Sequence, residues 1–209
     1  MYNEALLICG ERQLSTTTGL SEATESRYLL DHVWNNGGVD NCLSSGQWRF
    51  AMRTIELGYT STVDPQFGLT RAFIKPTDWV VTSALSADEY FNSPLLNYVD
   101  EAGYWYADVD TLYVRFVSNG ESYGNNITSW PAKFADFVAA HFASKIILKL
   151  TSDIEKRNDV FGIRSKNLLE AKNHDAMGDP TRFPPSGSWV NARRGGTRRD
   201  KGSRHNLIG

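Results

Sequence analysis

The chain has 209 residues, 41% of them apolar and 22% charged, which is enough to build and bury a core of ordinary globular size. No window approaches the roughly 18 consecutive apolar residues of a membrane helix, and the opening "MYNEALLICGER" lacks a basic region, a long apolar run and a cleavage site, so it does not read as a secretory signal. The net charge of −2 hides a division: Arg182, Arg193, Arg194, Arg198, Arg199, Lys201 and Arg204 against Asp179 and Asp200 give the end of the chain +5, leaving −7 on the body before it.

In chain order, "NEALLICGE" reads as a short helix. After the polar "STTTG", Ser21 is placed to cap a second helix with Glu22 and Glu25 in its first turn. Tyr28, Leu29, Leu30, Val33 and Trp34 give that helix an apolar side. Val39, Cys42 and Leu43 continue the spacing past Gly37-Gly38, so one bent helix over about 21–45 is expected. Cys9 and Cys42 sit in apolar helical surroundings without a CxxC partner. They read as buried free thiols, with a disulfide or a reactive thiol as the alternatives.

The period then changes. "WRFAMRTIELGY" alternates, with Ala51, Arg53, Ile55 and Leu57 on one face, and predicts a strand. The chain through "VRFVS" is rich in aromatic and β-branched residues punctuated by Pro76, Pro94 and Gly103. Tyr104 to Ala107 and Thr111 to Val117, joined by Asp108-Val109-Asp110, predict a hairpin in which Trp105 faces opposite Tyr104 and Tyr106. Helical periodicity returns at "SWPAKFADFVAAHFASKIILKL", with Ser129 as expected cap and Pro131 in the first turn. Phe134, Val138, Phe142, Ile146 and Leu150 form an i, i+4 core ladder. Thr151-Ser152-Asp153 can start a last helix whose stripe is Ile154, Phe161 and Leu168, broadened by Leu169, ending near Gly178.

The order predicts an α+β fold: a helical bundle from residues 1–48 and 128–178, an inserted antiparallel β-rich segment at 49–127, and an extended basic C-terminal arm at 179–209. Signs of catalysis are sparse. There is no GxxxxGK[ST], GxGxxG or GxSxG run, and His32, His141, His174 and His205 are dispersed. His141, within the apolar helix, reads as a satisfied core or interface histidine. The carboxylates Asp100, Glu101, Asp108 and Asp110 are the best candidates for holding Mg²⁺ in a nuclease-like site, but aspartates at a turn ordinarily bond nearby backbone amides. No catalytic, cofactor-binding or metal residue is therefore assigned, and no enzyme activity is expected.

The residues do, however, carry a resemblance. The segments "NEALLICGERQL", "RYLLDHVWN", "CLSSGQWRFAMRTIEL", "FGLTRAFIKPTDWV", "DEYFNSPLLNYVDEAGYWYADVDTLYVRFVSN", "WPAKFADFVAA" and "DAMGDPTRFPPSGSWVNARRG" follow one another to about Gly195. In these the chain resembles the tail tubular protein A, or head-to-tail adaptor (connector), family of short-tailed bacteriophages. The resemblance implies a structural virion protein made in the host cytoplasm and assembled at the head-to-tail junction. Such proteins form a ring, typically of twelve copies, between the portal protein and the tail nozzle protein, with tail fibres as a further contact. DNA crosses the lumen without sequence-specific binding, and no membrane or cofactor is involved. The resemblance also implies that the C-terminal segment reaches neighbouring subunits and the portal.

In that arm Pro184-Pro185 favours an extended backbone. Phe183 and Trp189 are large apolar anchors, and Arg182, Arg193, Arg194, Arg198, Arg199, Lys201 and Arg204 supply the charge. The alternative reading is a nucleic-acid-binding module that uses the Arg/Gly-rich "ARRGGTRRDKGSR".

Overall fold

The computed structural model describes residues 1–15, 24–65 and 68–178. Those up to Met177 form one compact unit, an α+β fold of five α-helices and two small antiparallel sheets among the described residues. None of its helices is long and apolar enough to cross a membrane.

Helix α1 spans Tyr2–Cys9 and buries Ala5, Leu6 and Cys9. Helix α2 covers Glu25–Asn35, with Thr24 as its cap: the Thr24 hydroxyl accepts from the Arg27 amide at 3.4 Å. The expected single helix through residue 45 is instead broken. Gly37 takes a left-handed conformation (φ 75°), and α3 starts afresh as Gly38–Leu43. The break also brings the chain close, since a Cβ on Gly38 would lie 2.6 Å from the Val33 carbonyl oxygen. Val39, Cys42 and Leu43 are buried as the periodicity required, but on a new axis.

Helix α4, Ala132–Thr151, is the centre of the helical layer. Phe134, Phe137, Val138, Phe142, Ile146 and Ile147 are all at most 1% exposed, and α1, α2, α3 and α5 pack around it. Burying each such side chain stabilises by about 1.5–3 kcal/mol before entropy is counted. Ser129 does not cap α4; its hydroxyl donates to the Asn126 carbonyl in the preceding turn, and Pro131 holds the cap position without a side-chain bond. Helix α5, Ile154–Met177, returns antiparallel after a tight link in which the Asp153 carboxylate accepts from the Glu155 and Lys156 amides.

The buried residues of α5 are Val160 and Ala171, with Phe161, Arg164, Asn167, Leu168, Glu170 and Asp175 half-buried. Of the expected stripe, Phe161 and Leu168 are half-buried, with Leu168 packed on the helical core, whereas Ile154 and the broadening Leu169 are exposed. Across the α4–α5 contact Asn167 Nδ2 donates to the Asp136 carbonyl and Lys133 to Glu170.

The strands are β1 Met52–Gly58, β2 Arg71–Ile74, β3 Trp79–Ser86, β4 Val99–Glu101, β5 Tyr104–Ala107 and β6 Thr111–Ser118. They form two sheets, ordered β1-β6-β3 and β2-β5-β4. The predicted hairpin of Tyr104–Ala107 with residues 111–117 does not exist: both stretches are strands, but β5 pairs with β2 and β4, whereas β6 pairs with β1 and β3. Asp108-Val109-Asp110 is the crossing between sheets. Crossing lets Trp105 and Ala107 face Leu112, Val114 and Phe116 across a second core that also takes Phe73 and Leu85. The hairpin lies one step earlier, at β4–β5, where Ala102 (φ 44°) and Gly103 (φ 84°) make the two-residue turn between the paired Glu101 and Tyr104.

Aromatic residues fasten the segments that flank the strands to the helical core. Trp48 and Phe50, leading into β1, pack on Phe134 at the start of α4 with ring centroids 4.8 and 4.7 Å away. Trp130 donates its indole N–H to the Gly124 carbonyl at 2.7 Å.

Candidate interaction surfaces

The arm residues singled out in the sequence, Arg182, Phe183, Pro184, Pro185, Trp189, Arg193, Arg194, Arg198, Arg199, Lys201 and Arg204, lie outside the described residues. The candidate carboxylates lie inside them and are already engaged. Asp108 accepts from the Thr70 amide at 2.8 Å and the Thr70 hydroxyl at 3.0 Å, and Asp110 pairs with Arg71 at 3.0 Å. These contacts fasten the crossing between sheets to the start of β2. Asp100 pairs with Lys75 and accepts from the Trp105 indole N–H at 3.2 Å and from the Thr82 hydroxyl at 3.2 Å. The Lys75 ammonium sits 3.8 Å from the Trp79 ring centroid and 5.5 Å from that of Trp105. Residues of both sheets are thereby tied together at one side of the second core. Among the described residues no group of three or more His, Cys, Asp or Glu side chains could hold a metal ion.

A second charged cluster borders an open cleft of about 410 Å³ between Arg53, Thr77, Asp78 and the loop Gly120–Tyr123. Arg53 donates to Asp78 at 2.7 Å, and the Ser118 hydroxyl donates to the same carboxylate. Burial pushes the Asp78 pKa up, but the bonds from Ser118 and Arg53 outweigh it and hold the group below its ordinary value. The charge at this cleft is spent on joining β1, β6 and the loop before β3.

What the fold leaves open is a sheet face. In β2-β5-β4 the inward side carries Phe73 and Trp105, fully buried. Directly paired residues share a side, so the outward side carries two rows: Ile74, Tyr104 and Glu101, then Ala72, Tyr106 and Val99. The two tyrosine rings stand 6.1 Å apart and are half-buried, while Ile74 and Val99 are 52% and 37% exposed. The sequence placed Tyr104 and Tyr106 opposite Trp105 correctly; it gave no sign that Ile74 and Val99 would flank them. A different open surface is the turn between α4 and α5, where Leu148 and Ile154 are 48% and 64% exposed.

His141 departs from the expectation of a satisfied histidine. It is buried on α4, its ring 6.4 Å from both Phe137 and Phe142, and neither ring nitrogen has a hydrogen-bond partner. Burial, then the nearby cations Arg164 and Lys145, pull its pKa down to about 4, so it is neutral at physiological pH. Cys9 and Cys42 are buried free thiols. Burial, with Glu11 adding to it, raises Cys9 to about 11; burial raises Cys42 to about 12 against the opposing pull of Arg164 and Lys145. Both are therefore poor nucleophiles. No protein-family model matches the chain, and no curated protein matches it.

Proposed function

We propose that the chain is a structural virion protein, a head-to-tail adaptor that forms a ring between the portal and the tail nozzle of a short-tailed bacteriophage. The observation that carries this reading is the ordered run of family-like segments from "NEALLICGERQL" to "DAMGDPTRFPPSGSWVNARRG", which spans nearly the whole chain. In this reading residues 1–48 and 128–178 are the helical bundle, 49–127 the β-rich insertion and 179–209 an arm that reaches neighbouring subunits and the portal. The packing of α1, α2 and α3 on α4, across the intervening strands, supports that division. The −7 charge of the body supports the role of a conduit, because a lumen that repels phosphates lets DNA slide instead of holding it by summed electrostatic contacts.

Native mass spectrometry of the protein alone and with a portal tests the proposal. The expected result is ring-sized particles, or monomers that convert to rings on meeting the portal; a persistent monomer with no portal binding overturns it. The Arg/Gly-rich end favours a second reading, a nucleic-acid-binding module. That reading requires tight, salt-sensitive DNA or RNA binding by the free protein that disappears when residues 190–209 are deleted.

A further inference from the structure

We propose, resting on the ring-forming reading above, that the loop of residues 87–98 between β3 and β4 is the seat of the basic C-terminal arm of a neighbouring copy. From Pro76 to Val114 the sequence has seven Asp or Glu and no Lys, Arg or His. Asp78, Asp100 and Asp110 are paired with cations from outside that stretch, and Asp88 and Asp108 accept from backbone amides. Glu89 within the loop and Glu101 just past it are exposed and in no ion pair among the described residues.

The loop is held in one shape. The fully buried Ser86 hydroxyl donates to the Asp88 carboxylate at 2.5 Å and accepts from the Asp88 amide at 3.1 Å. The same carboxylate accepts from the Asn92 amide at 3.2 Å, and the Leu95 amide donates to the Leu85 carbonyl at 2.8 Å. Phe91 takes a φ of 55°, a region that bulky residues rarely enter, with the Arg115 guanidinium 4.6 Å over its ring. Tyr90 and Leu96 are nonetheless 75% and 90% exposed. A backbone fixed against its preference while large apolar side chains stand in water marks a binding surface. Arg115 is the cation beside the loop, and Tyr113 lies on its side of β6. Partial burial, then the charges of Glu56 and Glu89, raise the Tyr113 pKa, so two carboxylates face that side against one guanidinium.

The matching charge lies in the last residues of the chain. From Arg182 to Arg204 there are seven cations against Asp200 alone, with Phe183 and Trp189 among them. The excess in the helices is smaller, eight cations against six acids over residues 132–177. Exposed apolar groups with an acidic margin fit a segment with apolar anchors and basic charge: the first pairing supplies affinity, the second orientation. Trp189 lies 12 residues past Met177, where α5 ends, and an extended chain of that length covers about 37 Å, close to the width of a globular unit of this size. A loop and an arm are unlike surfaces, so their contact is heterologous and each copy offers one half to each neighbour around a ring.

The test is a mixed cross-link in the full chain. Leu96→Cys replaces an exposed side chain in the loop, Ser188→Cys stands next to Trp189, and the native Cys9 and Cys42 are buried. Equal amounts of the two variants are mixed under ring-forming conditions, oxidised and sized by native mass spectrometry. A disulfide between one Leu96→Cys chain and one Ser188→Cys chain is expected, and neither variant alone should link. Linking of Leu96→Cys to itself overturns the proposal in favour of a loop-to-loop contact. Rings without the mixed link, or with Ser188→Cys captured only by added portal protein, overturn this seat and leave the ring reading intact, whereas absence of both rings and links overturns the two together. An internal link in monomers that carry both substitutions overturns the neighbour as the source of the arm. As a second measure, Glu89→Lys in the Leu96→Cys chain should lower the yield of the mixed link about five-fold at low salt and less at high salt, while Lys149→Glu at the α4–α5 turn should leave it unchanged. Equal yields from the Glu89→Lys chain and its parent at low salt overturn the charge pairing and with it the choice of the arm.

Discussion

Replacing His141 by leucine should stabilise the protein. The imidazole is 2% exposed and leaves a ring donor and a ring acceptor without partners, between Phe137 and Phe142. A buried polar group left unbonded costs about 1–3 kcal/mol. Leucine removes that cost at similar volume, and loss of the ring contacts offsets part of the gain. A net gain of about 1–2 kcal/mol follows, worth roughly 3–6 °C in Tm for a chain of this size.

The acid limb is more diagnostic. Folding lowers the His141 pKa from 6.5 to about 4, so the unfolded chain takes up its proton first. The contribution of the neutral ring is complete above pH 6.5 and is lost as pH falls towards 4, and it amounts to about 3 kcal/mol over that window at 1.36 kcal/mol per pKa unit. The excess stability of His141→Leu over wild type, measured by urea unfolding with tryptophan fluorescence, should therefore widen across that range. If the two proteins lose stability in parallel, or if the variant is less stable than wild type at neutral pH, the imidazole is hydrogen-bonded in solution and the reasoning fails.

Three further outcomes are expected. Gly124→Ala places a Cβ 2.4 Å from the Ser118 carbonyl oxygen and 2.6 Å from Leu43 Cδ1, and should cost about 1–3 kcal/mol in urea unfolding; an unchanged midpoint would mean that the loop moves aside freely. Lys75→Met keeps the stem but removes the cation between Trp79, Trp105 and Asp100, and should lower stability by about 1–2 kcal/mol with a change in tryptophan emission. In the arm, Trp189→Ala should weaken ring or portal assembly at high and low salt alike, whereas deletion from Thr197 should give a smaller defect that salt screens, as sedimentation at two ionic strengths would read; identical behaviour of the two would refute the separation of anchor from charged tip.

Features set by a single period were legible in the sequence. The Phe134-Val138-Phe142-Ile146 ladder of α4 is buried as its spacing requires, and Trp105 turns inward while Tyr104 and Tyr106 turn outward. Features set by a partner element were not. Alternation in β5 and β6 is the same whether the two strands pair side by side or face each other across a core, so residues 104–117 alone could not separate a hairpin from a crossing between sheets. The face that α5 buries is set by how it meets α4: Val160 and Ala171 are fully buried and Phe161 and Leu168 half-buried, while Ile154 and Leu169, as apolar as any in the helix, stay exposed. The helix break at Gly37 was foreshadowed by its composition, but the close approach of Gly38 to Val33 is visible only in three dimensions. His141 could be placed on a buried helix from its neighbours, whereas its lack of a hydrogen-bond partner depends on α4's surroundings.

The distribution of paired and unpaired charge gives the fold its direction. Asp78, Asp100 and Asp110 are each tied to a cation, and each tie joins elements that would otherwise be held by few contacts: β1 to the loop before β3, β4 to the end of β2, and the crossing loop to β2. These acids are used up within the molecule, Asp78 and Asp100 in half-shielded positions and Asp110 at the surface. Glu101, by contrast, is in no ion pair among the described residues and stands beside two tyrosines on an outward face, while at the turn between the longest helices Lys149, Lys156 and Arg157 alternate with Asp153, Glu155 and Asp159, with Arg157 over the Phe161 ring at 5.0 Å. Solvated charges at such positions contribute little to the stability of a lone chain. Their effect appears when a second surface removes water from them, and then opposite signs select which surfaces meet.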